Sequence, residues 1–412
     1  MKVIHLCTET KYGAGLGTLQ LSNDMTRMGI DSKVLTIEDF PIQMSMMCRI
    51  ANKLREYTKK IKSIYCCNKN TNYKSFGLFS EGTGNHDILS NSYVKDADII
   101  YLHWINRFLS IEKIGQLLRQ RKKIVWIMRD MWPMTGGCHH SFDCDLYCTH
   151  CTNCPSLQND IYNISYKIFE RKLKNFVDFP NLAICGISNW ISDCAKKSKL
   201  FHNNSIFTIH NSMDANVFHP ISKKIAREVL ELPQEKKLLL FGAAEGTRNF
   251  YKGWNYLIKA LSKLNSDYEL VIFGEDYNQE VVDEINLKVH FMGRIFDKKI
   301  LLSLIYSACD VFLSPTLAES FGKTIAEACL CCTPVVCFGV GGTKDIIKHL
   351  HTGYLAKYKD SDDFFKGIKW IFDNNNNNNI GFSARTNIIE LCNYKTIINK
   401  HTEMWKEMGW IK

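Results

Sequence analysis

The chain is expected to be an α/β protein built as two doubly wound parallel sheets facing each other across a cleft. Three observations predict this. Apolar, β-leaning runs alternate with helical patterns along most of the chain, as parallel sheets with crossover helices require. The alternation restarts after His210-Asn211-Ser212-Met213-Asp214. At 412 residues the chain is too long for one simple core and suits two domains of about 150–200 residues each.

In the first half, Val3–Cys7 is a strand, Gly13-Ala14-Gly15-Leu16-Gly17 a loop, Thr18–Met28 a helix and Lys33–Ile37 the next strand. Further strands fall at Asp98–Leu102, Ile124–Met128, Leu182–Cys185 and Ser205–Ile209. After the boundary, Lys237–Gly242, Glu269–Phe273, Lys288–Met292, Asp310–Leu313 and Pro334–Phe338 are strands. Trp254–Leu264, Lys298–Ser307 and Thr343–Leu350 are helices, and another opens between the last two strands. The asparagine run 374–379 is low-complexity and expected as a surface loop. The domains are therefore 1–212, with a cysteine-rich insert at 138–154, then 213–395, then a final helix within 396–412.

Hydrophobic content of 45% and charged content of 23% are ordinary for a globular protein. No apolar run approaches the roughly 20 residues of a membrane-spanning helix. The opening MKVIHLCTET reads as a first strand, not a signal peptide, so a cytoplasmic protein is expected. In that compartment the 17 cysteines stay reduced. The formal charge of +10 points to an acidic partner. Residues 49–74 carry eight Lys and Arg against Glu56, with Ile50, Leu54, Tyr57, Ile61 and Ile64 at helical spacing. Such a helix suits the surface of an anionic membrane, and an outer helix packed on a sheet explains the same pattern. No recognition-helix, RRM or two-Cys/two-His finger spacing supports nucleic-acid binding.

Several segments are candidates for phosphate binding, against the plain readings of a structural tight turn for the glycines and solvated surface charges for the cations. Glycines 13, 15 and 17 do not form G-x-G-x-x-G, and no P-loop is present. GAAEGTRNFYKGWNYLIKAL follows a strand, opens a helix and places Arg248 and Lys252 where cations could neutralise a diphosphate. Gly341-Gly342 forms another turn at the same sheet edge. SPTLAESFGKTIAEA sets Glu319 and Glu327 about a helix start. That placement is either helix capping or a pocket for a polyhydroxylated ligand whose phosphate rests on the helix amides.

The order of these parts resembles the family-4 retaining glycosyltransferases of the GT-B fold, two Rossmann-like domains across a cleft. The resemblance lies in the R…KG loop, FMGRI, YSACDVFLSPTLAESFGKTIAEA and GVGGTKDII…HTGYL, and in YLHWIN, RDMWPMTGGCHH, ISNW and IHNSMDANVFHP of the first half. The RDMWPMTGGCHH block resembles a subgroup associated with bacterial surface polysaccharide synthesis: capsule, O-antigen or exopolysaccharide. The resemblance implies transfer of a hexose from a UDP- or GDP-sugar to a glycan or lipid-linked acceptor, with retained anomeric configuration. Glu327 would then accept from the ribose hydroxyls, Glu319 from the hexose, and the backbone of Phe321, Gly322, Lys323, Thr324 and Ile325 would line sugar and phosphates. Arg248 and Lys252 would meet the leaving diphosphate, Arg294 would stand in the segment framing the base, and Gly15 and Gly17 would lie on the donor side. The final helix would cross back to the first domain. Many relatives carry a sugar-contacting histidine where Arg129 stands, followed here by Asp130; either Arg129 holds a substrate group or His103 takes part of the role. Asp96-Ala97-Asp98 and Asp143-Cys144-Asp145 read as structural, so no catalytic divalent metal is expected. A sugar-nucleotide epimerase of the same fold and a zinc-containing nucleic-acid-binding protein are the rival functions.

The block CHHSFDCDLYCTHCTNC suggests a structural zinc held by Cys138, Cys144, Cys151 and Cys154. Free packing thiols, a labile disulfide or an iron–sulfur site are the competing readings.

Overall fold

The strands are short apolar runs buried on both faces, the pattern of parallel sheets covered by helices. The computed structural model describes residues 1–11, 13–40, 78–157, 160, 162–242, 246–295 and 298–412. The basic stretch 49–74 lies outside the described residues. The chain divides into two units, Met1–Ile209 with Ile397–Lys412, and His210–Thr396.

The first unit carries a six-stranded parallel sheet: β1 Lys2–Leu6, β2 Asp31–Leu35, β3 Ile99–Leu102, β4 Lys123–Met128, β5 Leu182–Gly186 and β6 Ser205–Thr208. Its order is β2-β1-β3-β4-β5-β6. The order reverses between β1 and β3, the switch point where open α/β sheets place ligands at the strands' carboxyl ends. The glycine segment expected as a loop is instead the first turn of helix α1, Gly13–Arg27. The residues between β1 and that helix make the turn, and Thr8 N donates to Trp104 O at 2.8 Å across the switch point. The C-terminal helix Tyr394–Glu407 contributes His401 and Trp405 to this unit's core. Trp405 Nε1 donates to Tyr101 Oη at 2.9 Å, and His401 Nδ1 lies 3.1 Å from the same oxygen.

The second unit repeats the plan with β7 Lys237–Gly242, β8 Tyr268–Phe273, β9 Lys288–Phe291, β10 Val311–Ser314, β11 Val335–Phe338 and β12 Gly353–Ala356. All pair in parallel in the order β12-β11-β10-β7-β8-β9, so the switch point lies between β7 and β10. Helix α2, Trp254–Leu261, follows β7; α3, Lys299–Ala308, precedes β10; α4, Lys323–Leu330, follows it. Two expectations are corrected here. The helix after Gly341-Gly342 is only Thr343–Ile346, because the chain turns into β12, a strand the sequence reading lacked. The asparagine run is not a loop. One helix ends at Asn374, Asn376–Asn378 is a single 3-10 turn and the next helix starts at Asn379. Asparagine suits this junction: Asn378 adopts a left-handed φ of 59°, Asn375 Oδ1 accepts from Ile380 N at 3.0 Å, and Asn378 Nδ2 donates to Cys332 O at 3.1 Å.

Among the described residues no helix is long and apolar enough to cross a membrane.

Candidate active site

In the second unit, the loops after β7 and β10 meet at the switch point. Leu317 N donates to Tyr251 O at 2.7 Å and Thr316 Oγ1 to the same oxygen at 3.1 Å. Gly253 makes the contact possible. Its φ is +75° and a Cβ there would stand 1.8 Å from Pro315 O. The junction brings Lys252 Nζ to 3.6 Å from Glu319 Oε2, an ion pair with both side chains about one-fifth exposed.

Glu319 also caps the helix that follows, its Oε1 accepting from Gly322 N at 3.1 Å. The capping alternative therefore holds for one carboxylate oxygen, and the other faces Lys252. The Gly341-Gly342 turn closes the third side, with Gly342 N donating to Glu319 O at 2.9 Å. Gly322, at φ +103°, starts α4. Phe321 and Ile325 are buried, whereas Lys323 and Thr324 are half-buried in the helix's first turn. The unsatisfied amides of that turn carry the positive end of the helix.

Glu327, one turn further on, is only 5% exposed. Tyr306 Oη donates to its Oε2 at 3.0 Å, and Lys323 Nζ stands 3.8 Å from Oε1. Burial pushes the Glu327 carboxyl above its ordinary range, opposed by Lys323, the Tyr306 hydrogen bond and Lys299. Tyr306 carries no signal in the sequence that links it to this site.

The remaining cations are more exposed. Arg248 Nε is 3.7 Å from the buried Glu275, which also accepts from Thr247 N at 3.2 Å. Glu275, unforeseen from the sequence, fixes the start of the cationic loop. Arg294 Nε lies 3.3 Å from Asp276 Oδ2, both well exposed. His210, the first residue of this unit, pairs with Asp345 at 2.9 Å and lies against the Phe321 ring.

In the first unit the candidates also gather at the switch point. A Cβ on Gly15 would lie 2.2 Å from Glu9 O, and one on Gly17 2.8 Å from Arg129 Nη1, so these glycines admit the neighbouring backbone and the guanidinium. Arg129 Nη2 is 3.3 Å from His103 Nδ1, and His103 Nε2 is 2.9 Å from His5 Nδ1. Burial first, then the Arg129 charge, holds His103 well below the usual imidazole range, so it is neutral. Burial lowers Arg129 to about 10, which leaves it charged at neutral pH. Asp130 is committed within its own loop: Oδ1 accepts from Trp132 N at 2.9 Å and Oδ2 lies 2.6 Å from His139 Nδ1. Lys172 is fully buried beneath this loop, donating to Thr135 O at 2.8 Å and standing 3.7 Å from the Trp132 ring centre.

No structural zinc site is found among the described residues. Among the described residues, which include all four cysteines, no group of three or more His, Cys, Asp or Glu is arranged to hold a metal ion. Cys151 Sγ accepts from Gly136 N at 3.1 Å, and Cys138 is hydrogen-bonded to Cys154. Burial raises the Cys151 thiol to about 12, whereas the hydrogen bond from Cys138 lowers Cys154 to about 7. Cys144 stands half-buried beside them. The described cysteines are free thiols.

Residues 222–387, within the second unit, match the family model for Glycosyl transferases group 1. An uncharacterized glycosyltransferase of Methanocaldococcus jannaschii is 32% identical over 150 residues, covering 34% of this chain and 37% of that protein. The chain thus spans little more than a third of that relative. Sucrose-phosphate synthase from Thermosynechococcus elongatus superposes with a TM-score of 0.67 at 17% identity, over 99% of both chains. Anabaena HepE in complex with UDP and glucose does so at 0.62 and 15%, over 98% of this chain and 99% of its own. The fold is GT-B: two Rossmann-like halves, each with a six-stranded parallel sheet.

Proposed function

We propose that the chain is a retaining glycosyltransferase that moves a hexose from a nucleoside diphosphate sugar to a glycan or lipid-linked acceptor. One observation carries the reading: a buried carboxylate, a carboxylate paired with a lysine and the free amides of a helix start meet at one switch point. Vicinal hydroxyls need paired acceptors, which Glu327 and Glu319 supply. A diphosphate needs fixed positive charge, supplied by Lys252, Arg248 and the first turn of α4. The neighbour solved with UDP and glucose supports a UDP-sugar as the donor.

Breaking the glycosidic bond puts charge on the diphosphate oxygens. Lys252 is held by Glu319 and so needs little reorganisation to meet it, and such preorganised donors each contribute about 3–4 kcal/mol. Arg248, 68% exposed at its side chain, can swing from Glu275 at small cost. The acceptor hydroxyl attacks on the face the phosphate leaves, and a phosphate oxygen takes its proton. On the first unit, Arg129, oriented by neutral His103, offers donors to sugar or acceptor oxygens. Asp130 positions the loop instead. The RDMWPMTGGCHH block supports a role in surface polysaccharide synthesis at the cytoplasmic face of a membrane. An epimerase of the same fold would give product without an added acceptor.

The test replaces both acids. In Glu319→Gln with Glu327→Gln, turnover of a UDP-sugar is expected to fall by at least about 100-fold and UDP affinity by calorimetry to fall with it. Wild-type affinity and turnover in this variant would refute the site.

A further inference from the structure

We propose that Tyr306 is a positioning residue of the donor site, its phenol holding the Glu327 carboxylate in the orientation that receives two vicinal hydroxyls. The inference rests on the reading of Glu327 as the ribose acceptor. Tyr306 is fully buried on α3, 21 positions before Glu327. Its backbone oxygen accepts from Thr333 Oγ1 at 2.7 Å. Its ring meets Phe273 and Phe312 edge-on, each 5.6 Å centre to centre. With the backbone pinned and the ring held by two others, the hydroxyl is directed to Glu327.

A phenylalanine would fill the same space, so packing does not explain the hydroxyl. A buried phenol is costly without a partner, and the partner here is a carboxylate that is itself costly to bury without donors. Each group explains the other. Tyr306 engages one carboxylate oxygen and leaves lone pairs of both oxygens for a ligand.

Among the described residues, the charged and titratable groups facing Glu327 are few. Lys323 comes from its own helix, Tyr306 and Lys299 from α3, and Cys331 from the turn after α4. From the other elements packed on α4, Arg385 is directed to Leu330 O and Asp345 to His210. Tyr306 therefore supplies a hydrogen bond that favours the ionised carboxylate against burial. Burial holds its own phenol far above neutral pH, so it donates throughout. Without it the carboxyl rises further, and ligand binding that needs the carboxylate fails at a higher pH.

The experiment measures UDP affinity of the full chain by calorimetry across mildly acidic to neutral pH. Wild-type affinity falls as pH drops through the Glu327 titration. In Tyr306→Phe the fall moves to higher pH, and affinity at neutral pH drops about 10-fold. Incorporating 3-fluorotyrosine at position 306, a stronger donor, moves the fall to lower pH. This variant answers the question even if Tyr306→Phe folds poorly. In a Glu327→Gln background Tyr306→Phe costs little more, since the groups act as one unit. An unmoved pH midpoint in both variants, or equal cost of Tyr306→Phe in both backgrounds, overturns the proposal. If Glu327→Gln itself binds UDP like wild type, the ribose reading fails and this proposal with it. Loss of binding in Glu327→Gln with an unmoved Tyr306→Phe midpoint refutes the proposal alone.

Discussion

His5, His103 and His401 lie buried and neutral in the first unit, joined to Arg129 and Tyr101. Burial is the main cause and Arg129 adds to it, with His5 and His401 lowered to about 3. In the unfolded chain each titrates near 6.5 and binds protons the folded unit refuses. Their contribution is therefore complete above about pH 6.5 and is lost as pH falls toward 3, by at most about 1.4 kcal/mol per pH unit for each histidine. Urea denaturation of the wild type should show stability falling over that window, and His401→Gln should make the fall shallower. An equal slope would mean that His401 is protonated in the fold. At this scale the sequence was legible where a residue announces itself by its neighbours in the chain, as Glu319, Lys252 and Arg129 do. Tyr306, Glu275 and His401 were not, because their partners stand 21, 28 and 300 positions away.

Elements were more legible than single contacts. Long apolar strands such as Lys237–Gly242 and Ile124–Met128 are written plainly, since burial on both faces leaves only apolar residues. The errors fall where tertiary contact overrides local preference. Three glycines read as a loop because glycine is a poor helix former, yet all three lie at the start of α1, where neighbouring groups press against Gly15 and Gly17. Gly353–Ala356 was missed because four residues beginning with glycine carry little strand signal. The same contrast predicts two substitutions. Gly253→Ala forces a side chain into a left-handed conformation and into Pro315 O, so the loops after β7 and β10 must part. About 1–3 kcal/mol of strain is expected, and UDP affinity should fall by more than the loss of thermal stability accounts for. Gly13→Ala has nothing within 4 Å of its added carbon and lies in a helix, so it should stabilise by about 0.5–1 kcal/mol. Thermal denaturation and calorimetry on the two variants separate these outcomes; similar behaviour would show that the junction tolerates rearrangement.

On the scale of the whole molecule, the first unit is built from both ends of the chain, while the second is one continuous segment. The C-terminal helix completes the first unit with Trp405, fully buried and bonded to Tyr101, and Lys123 Nζ donates to Trp410 O at 2.9 Å beyond it. Trp405→Ala should therefore destabilise the first unit by about 3–5 kcal/mol, the usual cost of removing a buried indole. The second unit keeps all of its strands and the candidate donor residues, so its own stability should stand. Because a ligand that binds only the folded form raises the stability of the unit that holds it, UDP bound at the proposed donor site would label the second unit's transition in a scan. Differential scanning calorimetry of Trp405→Ala should thus show a low-temperature transition indifferent to UDP and a higher one that UDP raises. A single transition, displaced downward and still raised by UDP, would mean that the two units unfold together and that the closing helix stabilises both.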